Sequence, residues 1–292
     1  RAAMMRAAED RLDAAVESRA ESLTSVFKGL SVGIAGRVAD PVIYRALTDL
    51  EAGFEALKAE GDPMAILRKE YVTDNRFKPA ERYKLDQGAS SSSYNIAHGR
   101  FHPGLVSLVA AGSYYDVFLI AQDGDIVYST MKEADFASNL KTGEWKGTAL
   151  ARVAMKALEA TEPSAAVLSD MERYAPSAGA PAAFAAAPVF GPDGRLVGAF
   201  AVRIPPQIID SRMQRRAGLG ETGLSFLVGA DGYLRSNSRA DGQSDLLSRS
   251  IELPADAAPD DRISWIGEGI GGQAVLRVAE PFSYDALTYT IV

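Results

Sequence analysis

Several residues in this chain have types and spacings that could do chemistry. His98 and His102, the only histidines, stand four apart, which on a helix puts both imidazoles on one face, as zinc ligands can be. Gly99 and Pro103 weaken such a helix, and a site needs a third ligand, for which Asp116 is a candidate. The other reading gives both rings packing or hydrogen-bonding roles, and no metal is expected. Glu133 and Asp135 form a carboxylate pair of the kind used in acid–base catalysis, but Lys132 beside them suits a solvated or salt-bridged loop. A second reading stays open, because the run follows a strand end at Thr130, where a loop can fold over a sheet and close a pocket. Trp145, Asp170, Tyr174 and Ser177 follow in the same stretch and are the amphipathic kind of residue that lines small-molecule sites. Gly218-Leu219-Gly220-Glu221-Thr222-Gly223 satisfies the dinucleotide pattern G-x-G-x-x-G, but it lies between a helical and a strand-like segment, the reverse of the required order. No cofactor is expected from it. With no cysteine and no strand-turn-helix nucleophile elbow, nucleophilic catalysis has no footing, and the chain reads as a non-enzyme.

The elements that must position these groups begin with helices. The chain has 292 residues, 47% hydrophobic and 24% charged, enough for two modules with their own cores. A net charge of −7 without a basic stripe argues against nucleic acid. No stretch has the 18 or so uncharged apolar residues of a membrane span, and no signal peptide is visible. From Arg1 to about Ala39, Leu12, Val16, Leu23, Val26, Phe27, Leu30 and Ile34 recur at helical spacing, so one long amphipathic helix is expected. Asp40-Pro41 and Asp62-Pro63 each pair an N-cap with a first-turn proline, starting a helix to Gly61 and a short one toward Tyr71. The chain opens on Arg1 and closes at Val292 within an apolar β-run, as expected of a segment from a longer protein.

After the polar break at Gly88–Ser93 the signals change to strands and hairpins. Tyr114–Ala121 and Ile126–Ser129 flank Asp123-Gly124, Ala186–Phe190 and Leu196–Val202 flank Asp193-Gly194, and Ser225–Gly229 and Tyr233–Ser236 flank Asp231-Gly232. Phe118-Leu119-Ile120-Ala121-Gln122-Asp123-Gly124 matches Phe226-Leu227-Val228-Gly229-Ala230-Asp231-Gly232 in phase, and Ala187-Pro188-Val189-Phe190 resembles Ala279-Glu280-Pro281-Phe282. Two related α+β modules in tandem follow, the first with an insertion between Thr130 and Ala183.

A long helix followed by two PAS-like modules resembles the double Cache sensor domain of bacterial transmembrane receptors. The resemblance covers most of the chain and rests on the helix, Tyr114–Ile120 with Gly124–Ser129, Lys132–Phe136, Pro188–Phe190 through Gly198–Phe200, and Gly218–Gly232. It is strongest toward the periplasmic part of methyl-accepting chemotaxis proteins, with sensor domains of histidine kinases and nucleotide cyclases as alternatives. The fold it implies is α+β with antiparallel sheets: a helical stalk with connecting helices at 1–93, a membrane-distal module at 94–213 and a membrane-proximal one at 214–292. The function it implies is binding of a small molecule in the distal module and signalling across an inner membrane through flanking spans, as a homodimer formed by the N-terminal helix; an interaction module that recognises a periplasmic binding protein is the other alternative. By family position Tyr174, Ser177 and Phe184 lie along the strand facing the pocket, with Tyr128 and Arg203 on neighbouring strands. Lys132, Asp135, Trp145 and Asp170 complete the expected ligand-binding set. In amino-acid-sensing members an Asp receives the ligand's ammonium where Arg203 stands here, and their Arg-x-Trp-Tyr motif is absent. An arginine repels an ammonium and pairs with a carboxylate, so the expected ligand is an organic anion or a neutral molecule.

Overall fold

Helix starts follow the capping residues. In this computed structural model, which describes residues 2–238, 243–254 and 261–292, α1 runs over Ala2–Val38 and α2 over Pro41–Leu57. Asp40 accepts the Val42 amide at 2.9 Å, and Asp62 accepts the Met64 and Ala65 amides at 3.2 and 3.3 Å to start α3 (Pro63–Arg68). A π-helical turn at Lys69–Thr73 and a 3-10 turn at Pro79–Lys84 lead to α4 (Ser93–Gly112).

That fourth helix corrects the sequence reading, which ended the helical region at the serine run and held Gly99 and Pro103 against a helix. Ser92 caps it through the Asn95 amide at 3.2 Å, and burial of Tyr94, Asn95, Ala97, His98, His102 and Leu105 carries it through the proline. Tertiary burial here outweighs local propensity. Helix α2 approaches closely because residue 53 is glycine: a Cβ there would lie 2.5 Å from the Tyr94 Cα.

Two compact units form. The central unit is Leu30–Pro205; the terminal unit joins Arg1–Gly29 to Pro206–Val292, and α1 contributes to both. The central unit contains β1 (Asp116–Ala121), β2 (Ile126–Ser129), α5 (Ala149–Leu158), β3 (Val167–Leu168), β4 (Glu172–Tyr174), β5 (Ala180–Phe190) and β6 (Leu196–Ile204). Its antiparallel sheet has the order β2-β1-β6-β5-β3, with β4 also on β5. Pro188 fits inside this sheet because β3 pairs only with Ala185 and Ala186, so the missing amide lies past that partner. Phe118, Ile120, Phe184, Ala186, Ala199 and Ala201 pack with α5 into one core. By strand alternation Val117 and Leu119 point to the opposite face.

In the terminal unit, α6 (Gln207–Met213) precedes β7 (Leu227–Gly229), β8 (Ile263–Glu268), β9 (Ala274–Tyr284) and β10 (Leu287–Ile291), ordered β7-β10-β9-β8. Phe27 of α1 lies 5.4, 6.1 and 6.2 Å from the rings of Tyr284, Phe282 and Tyr289, an aromatic cluster that fastens the helix to this sheet. The matched sequence segments make matched turns: Gly124 donates to Ala121 O and Gly232 to Gly229 O, each at 2.9 Å and each with positive φ. The third hairpin is slighter than expected. Its return segment pairs through isolated bridges at Tyr233 and Leu234. The Gly218–Gly223 run lies between α6 and β7, in helix-to-strand order.

Candidate functional site

The sheet register assembles the site. Asp116 on β1 pairs with Arg203 on β6, which pairs with Phe184 on β5, so these three side chains share the face that α5 covers. Residues 130–139 then leave β2 and fold over the strand ends, with Lys132 and Ala137 at φ of 56° and 63°. Asp116 fixes where this loop begins, since its Oδ1 accepts the amides of Val117, Thr130 and Met131 at 2.7, 2.8 and 3.1 Å.

The loop brings two carboxylates onto this face. Glu133 accepts from the Tyr115 hydroxyl at 2.9 Å, from the Ser177 hydroxyl, and from Arg203 NH1 at 3.3 Å. Arg203 is 6% exposed; NH1 also donates to Ser177 Oγ at 2.6 Å, NH2 reaches Pro181 O at 3.4 Å, and its Cζ lies 4.1 Å from the Tyr115 ring centre. Burial, reinforced by Glu133, pushes the Tyr115 phenol up to about 12. Asp135 accepts from the Tyr174 hydroxyl through Oδ2. Burial pushes the Asp135 carboxyl up to about 6 against the opposing effect of that hydrogen bond. The Asp116 carboxyl is also raised, by burial and then by Asp135.

Both aspartates are fully buried, and each keeps one oxygen, Asp116 Oδ2 and Asp135 Oδ1, without a hydrogen-bond partner among the described residues. An uncompensated buried acceptor costs about 1–3 kcal/mol. Two neighbouring acceptors of this kind, beside a guanidinium, make a place that a donor-bearing molecule would stabilise.

The nine residues expected at the site fall into three groups. Asp135, Tyr174, Ser177, Phe184 and Arg203 come together: Tyr174 stands 4.7 Å from the Phe184 ring and 5.9 Å from the Arg203 guanidinium carbon. Tyr128 and Lys132 do not join them. Tyr128 pairs with Leu119 and so belongs to the opposite face. There the buried Lys132 ammonium lies 4.3, 5.0 and 5.5 Å from the rings of Tyr128, Phe136 and Tyr71, donating to Ser129 O. Burial lowers its pKa while Asp116 raises it. Trp145 packs at the edge of the core that holds Tyr174 and Phe184, and Asp170 lies between β3 and β4. The Trp145 indole donates to Ala134 O at 3.2 Å, and the residue lines a separate cavity of about 340 Å³ with Phe54, Lys58 and Asp125. Asp170 accepts the amide of Met171 at 2.7 Å.

The histidines lie on the Lys132 side. Their rings stack at 4.5 Å. His98 Nδ1 donates to Asp86 O and His102 Nε2 to Tyr83 O, both at 2.6 Å, while His102 Nδ1 accepts from Tyr128 Oη at 2.7 Å. His102 thus has no nitrogen left for a metal, and burial, with Lys132 nearby, brings its pKa down to about 3. Glu55, Asp123 and Asp125, an acidic group within metal-ligand reach of one another, lie elsewhere.

Asp116 and Tyr115 also join the Arg203 cluster, although the sequence reading names Asp116 only as a third ligand beside the histidines and does not name Tyr115 for the site. The signal available was their place at the start of the first strand, where Asp116 pairs with Arg203 one position before the partner strand ends at Ile204.

No family model matches the chain, and no curated protein matches it. Several solved structures are similar. They include the ligand-binding domain of the Pseudomonas fluorescens chemoreceptor CtaA in complex with L-leucine, at 14% identity over 100% of this chain and 95% of that one, with a TM-score of 0.48. The sensory domain of the Campylobacter jejuni chemoreceptor Tlp3 is 14% identical over 88% of this chain and 94% of that one, with a TM-score of 0.44. The sensor domain of the V. cholerae histidine kinase DctB is 13% identical over 84% and 95%, with a TM-score of 0.43.

Proposed function

We propose that this chain is an extracytoplasmic ligand-sensing module of a bacterial transmembrane receptor, of the double Cache type, with a binding role and no turnover. Its central unit holds a small organic acid that also carries an N–H or O–H donor. The observation that carries this reading is the pair of buried, partnerless oxygens on Asp116 and Asp135 on the sheet face that also presents Arg203. The donor of the ligand satisfies the aspartates, and its anionic group competes with Glu133 for the guanidinium. Because Glu133 already balances Arg203, the charge argument against an ammonium group loses its force.

In this reading the central unit is membrane-distal and the terminal unit membrane-proximal, and α1 dimerises and carries the signal toward flanking spans. Among the described residues no helix is long and apolar enough to cross a membrane. Ligand binding favours one arrangement of the loop at 130–139, and the signal is limited by the difference in affinity between the two states.

The test is a thermal-shift series with succinate, L-malate and L-aspartate, which differ chiefly in the donor they carry. A ligand that binds only the native state stabilises it by about 2.7 kcal/mol at a hundredfold excess over its Kd. Malate or aspartate should raise the midpoint, succinate should not, and both Asp135→Asn and Arg203→Ala should abolish the rise. A series in which no acid moves the midpoint of the folded chain, or in which the two variants respond like the wild type, rejects the reading.

A further inference from the structure

The terminal unit has a cavity of its own. It encloses about 300 Å³, at the lower end of small-molecule sites, between α1, the segment before β7, the β8–β9 hairpin and Val292. Helix α1 lines it with Ala8, Arg11, Leu12, Ala15 and Val16, positions i, i+3, i+4, i+7 and i+8 of one helical face. Ala8 and Ala15 are small, and the room above them is bounded by Leu219, Phe226, Ile270 and Val278. Leu224 stands at the lining with 43% of its surface exposed, an apolar side chain left in contact with water.

The charge in this lining is of one sign. On a chain of net charge −7, the charged residues lining the cavity are Arg11 and Arg277. Arg277 is committed, with its guanidinium carbon 5.8 Å from the Trp265 ring centre and NH2 donating to Glu268 O. Arg11 is exposed, and its side chain makes no hydrogen bond or ion pair among the described residues. An apolar chamber with an uncommitted guanidinium on its wall is complementary to a molecule with an apolar tail and an anionic head.

We infer that the terminal unit carries a second ligand site, independent of the one in the central unit, which takes a small amphipathic carboxylate with its tail among Leu12, Phe226 and Val278 and its carboxylate on Arg11.

Isothermal titration with octanoate and with octan-1-ol tests this, using the wild type, Arg11→Glu and Ala8→Trp, each checked for an unchanged circular dichroism spectrum. Octanoate should bind the wild type saturably at one site. Arg11→Glu, at an exposed position, should weaken octanoate about tenfold, the scale of a charge-assisted hydrogen bond, and leave octanol unchanged. Ala8→Trp, which fills the chamber from the helix side, should remove both. Absence of saturable binding to the folded wild type overturns the inference, and so does octanoate binding that neither variant changes. Sedimentation of the same samples supplies the last outcome: a dimer that octanoate dissociates assigns the chamber to a second copy of the chain and also overturns it.

Discussion

Tyr174 and Asp135, 39 positions apart, share a buried hydrogen bond in which the phenol donates to Oδ2 and ties β4 to the loop that leaves β2. Tyr174→Phe removes the donor while keeping the ring against Phe184. Asp135 then has two buried oxygens without partners, at a cost of about 1–3 kcal/mol in urea unfolding. Its carboxyl should titrate still higher, because the lost bond favoured the charged form. A variant as stable as the wild type would place Tyr174 outside the network.

The protonation of Asp135 gives stability a defined pH slope. Its folded pKa, about 6, is raised above the unfolded value near 3.8, so the folded chain holds the proton more tightly. The stabilisation is fully present below the unfolded value and declines as pH rises through the window between the two. The difference amounts to something on the order of 3 kcal/mol. His102 acts in the opposite direction, since a pKa brought down to about 3 makes its contribution fall as pH drops below 6.5. The informative quantity is therefore the difference between wild type and Asp135→Asn, measured by urea unfolding across this window. It should decline with rising pH, and a flat difference contradicts the assignment.

The capped helix starts and aspartate–glycine hairpins were legible because each depends on a few adjacent residues: Asp40 with Pro41 and Asp123 with Gly124 carry their own geometry. Helix α4 was not, because Gly99 and Pro103 are local signals and the burial that overrides them comes from Tyr71, Tyr128 and the rest of the unit. The same divide separates the site residues. Lys132–Asp135 could be placed as a loop over a sheet end, but which face each side chain serves depends on register, which put Tyr128 behind the sheet and Arg203 in front of it. The orphaned Oδ2 of Asp116 has no sequence signal, since the carboxylate is held through its other oxygen by backbone amides 14 and 15 residues on.

Gly53 tests close packing against propensity. Alanine is favoured over glycine in a helix interior by about 1 kcal/mol, so Gly53→Ala on α2 would stabilise an isolated helix. Here the added Cβ would meet the Tyr94 Cα at 2.5 Å and its amide nitrogen at 2.7 Å, both backbone atoms that cannot rotate away. The variant should lose about 1–3 kcal/mol, the usual cost of overpacking. A rise in thermal midpoint would show that α2 and α4 can separate freely.

Arg203 and Glu133 form a partly enclosed ion pair, with side-chain exposures of 7% and 18%. Removing one member leaves the other charge with poor access to water, so Arg203→Ala and Glu133→Ala should each destabilise by up to about 3–5 kcal/mol. Arg203→Met with Glu133→Gln removes both charges, keeps most of the volume, and should cost less than Arg203→Met and Glu133→Gln made singly and added together, the coupling that a double-mutant cycle reads. Ligand response separates structure from recognition. If the guanidinium serves only to hold Glu133, the neutral double variant keeps any thermal shift that malate or aspartate gives the wild type. If it receives the ligand's anionic group, the double variant folds, is close to wild type in stability, and loses the shift.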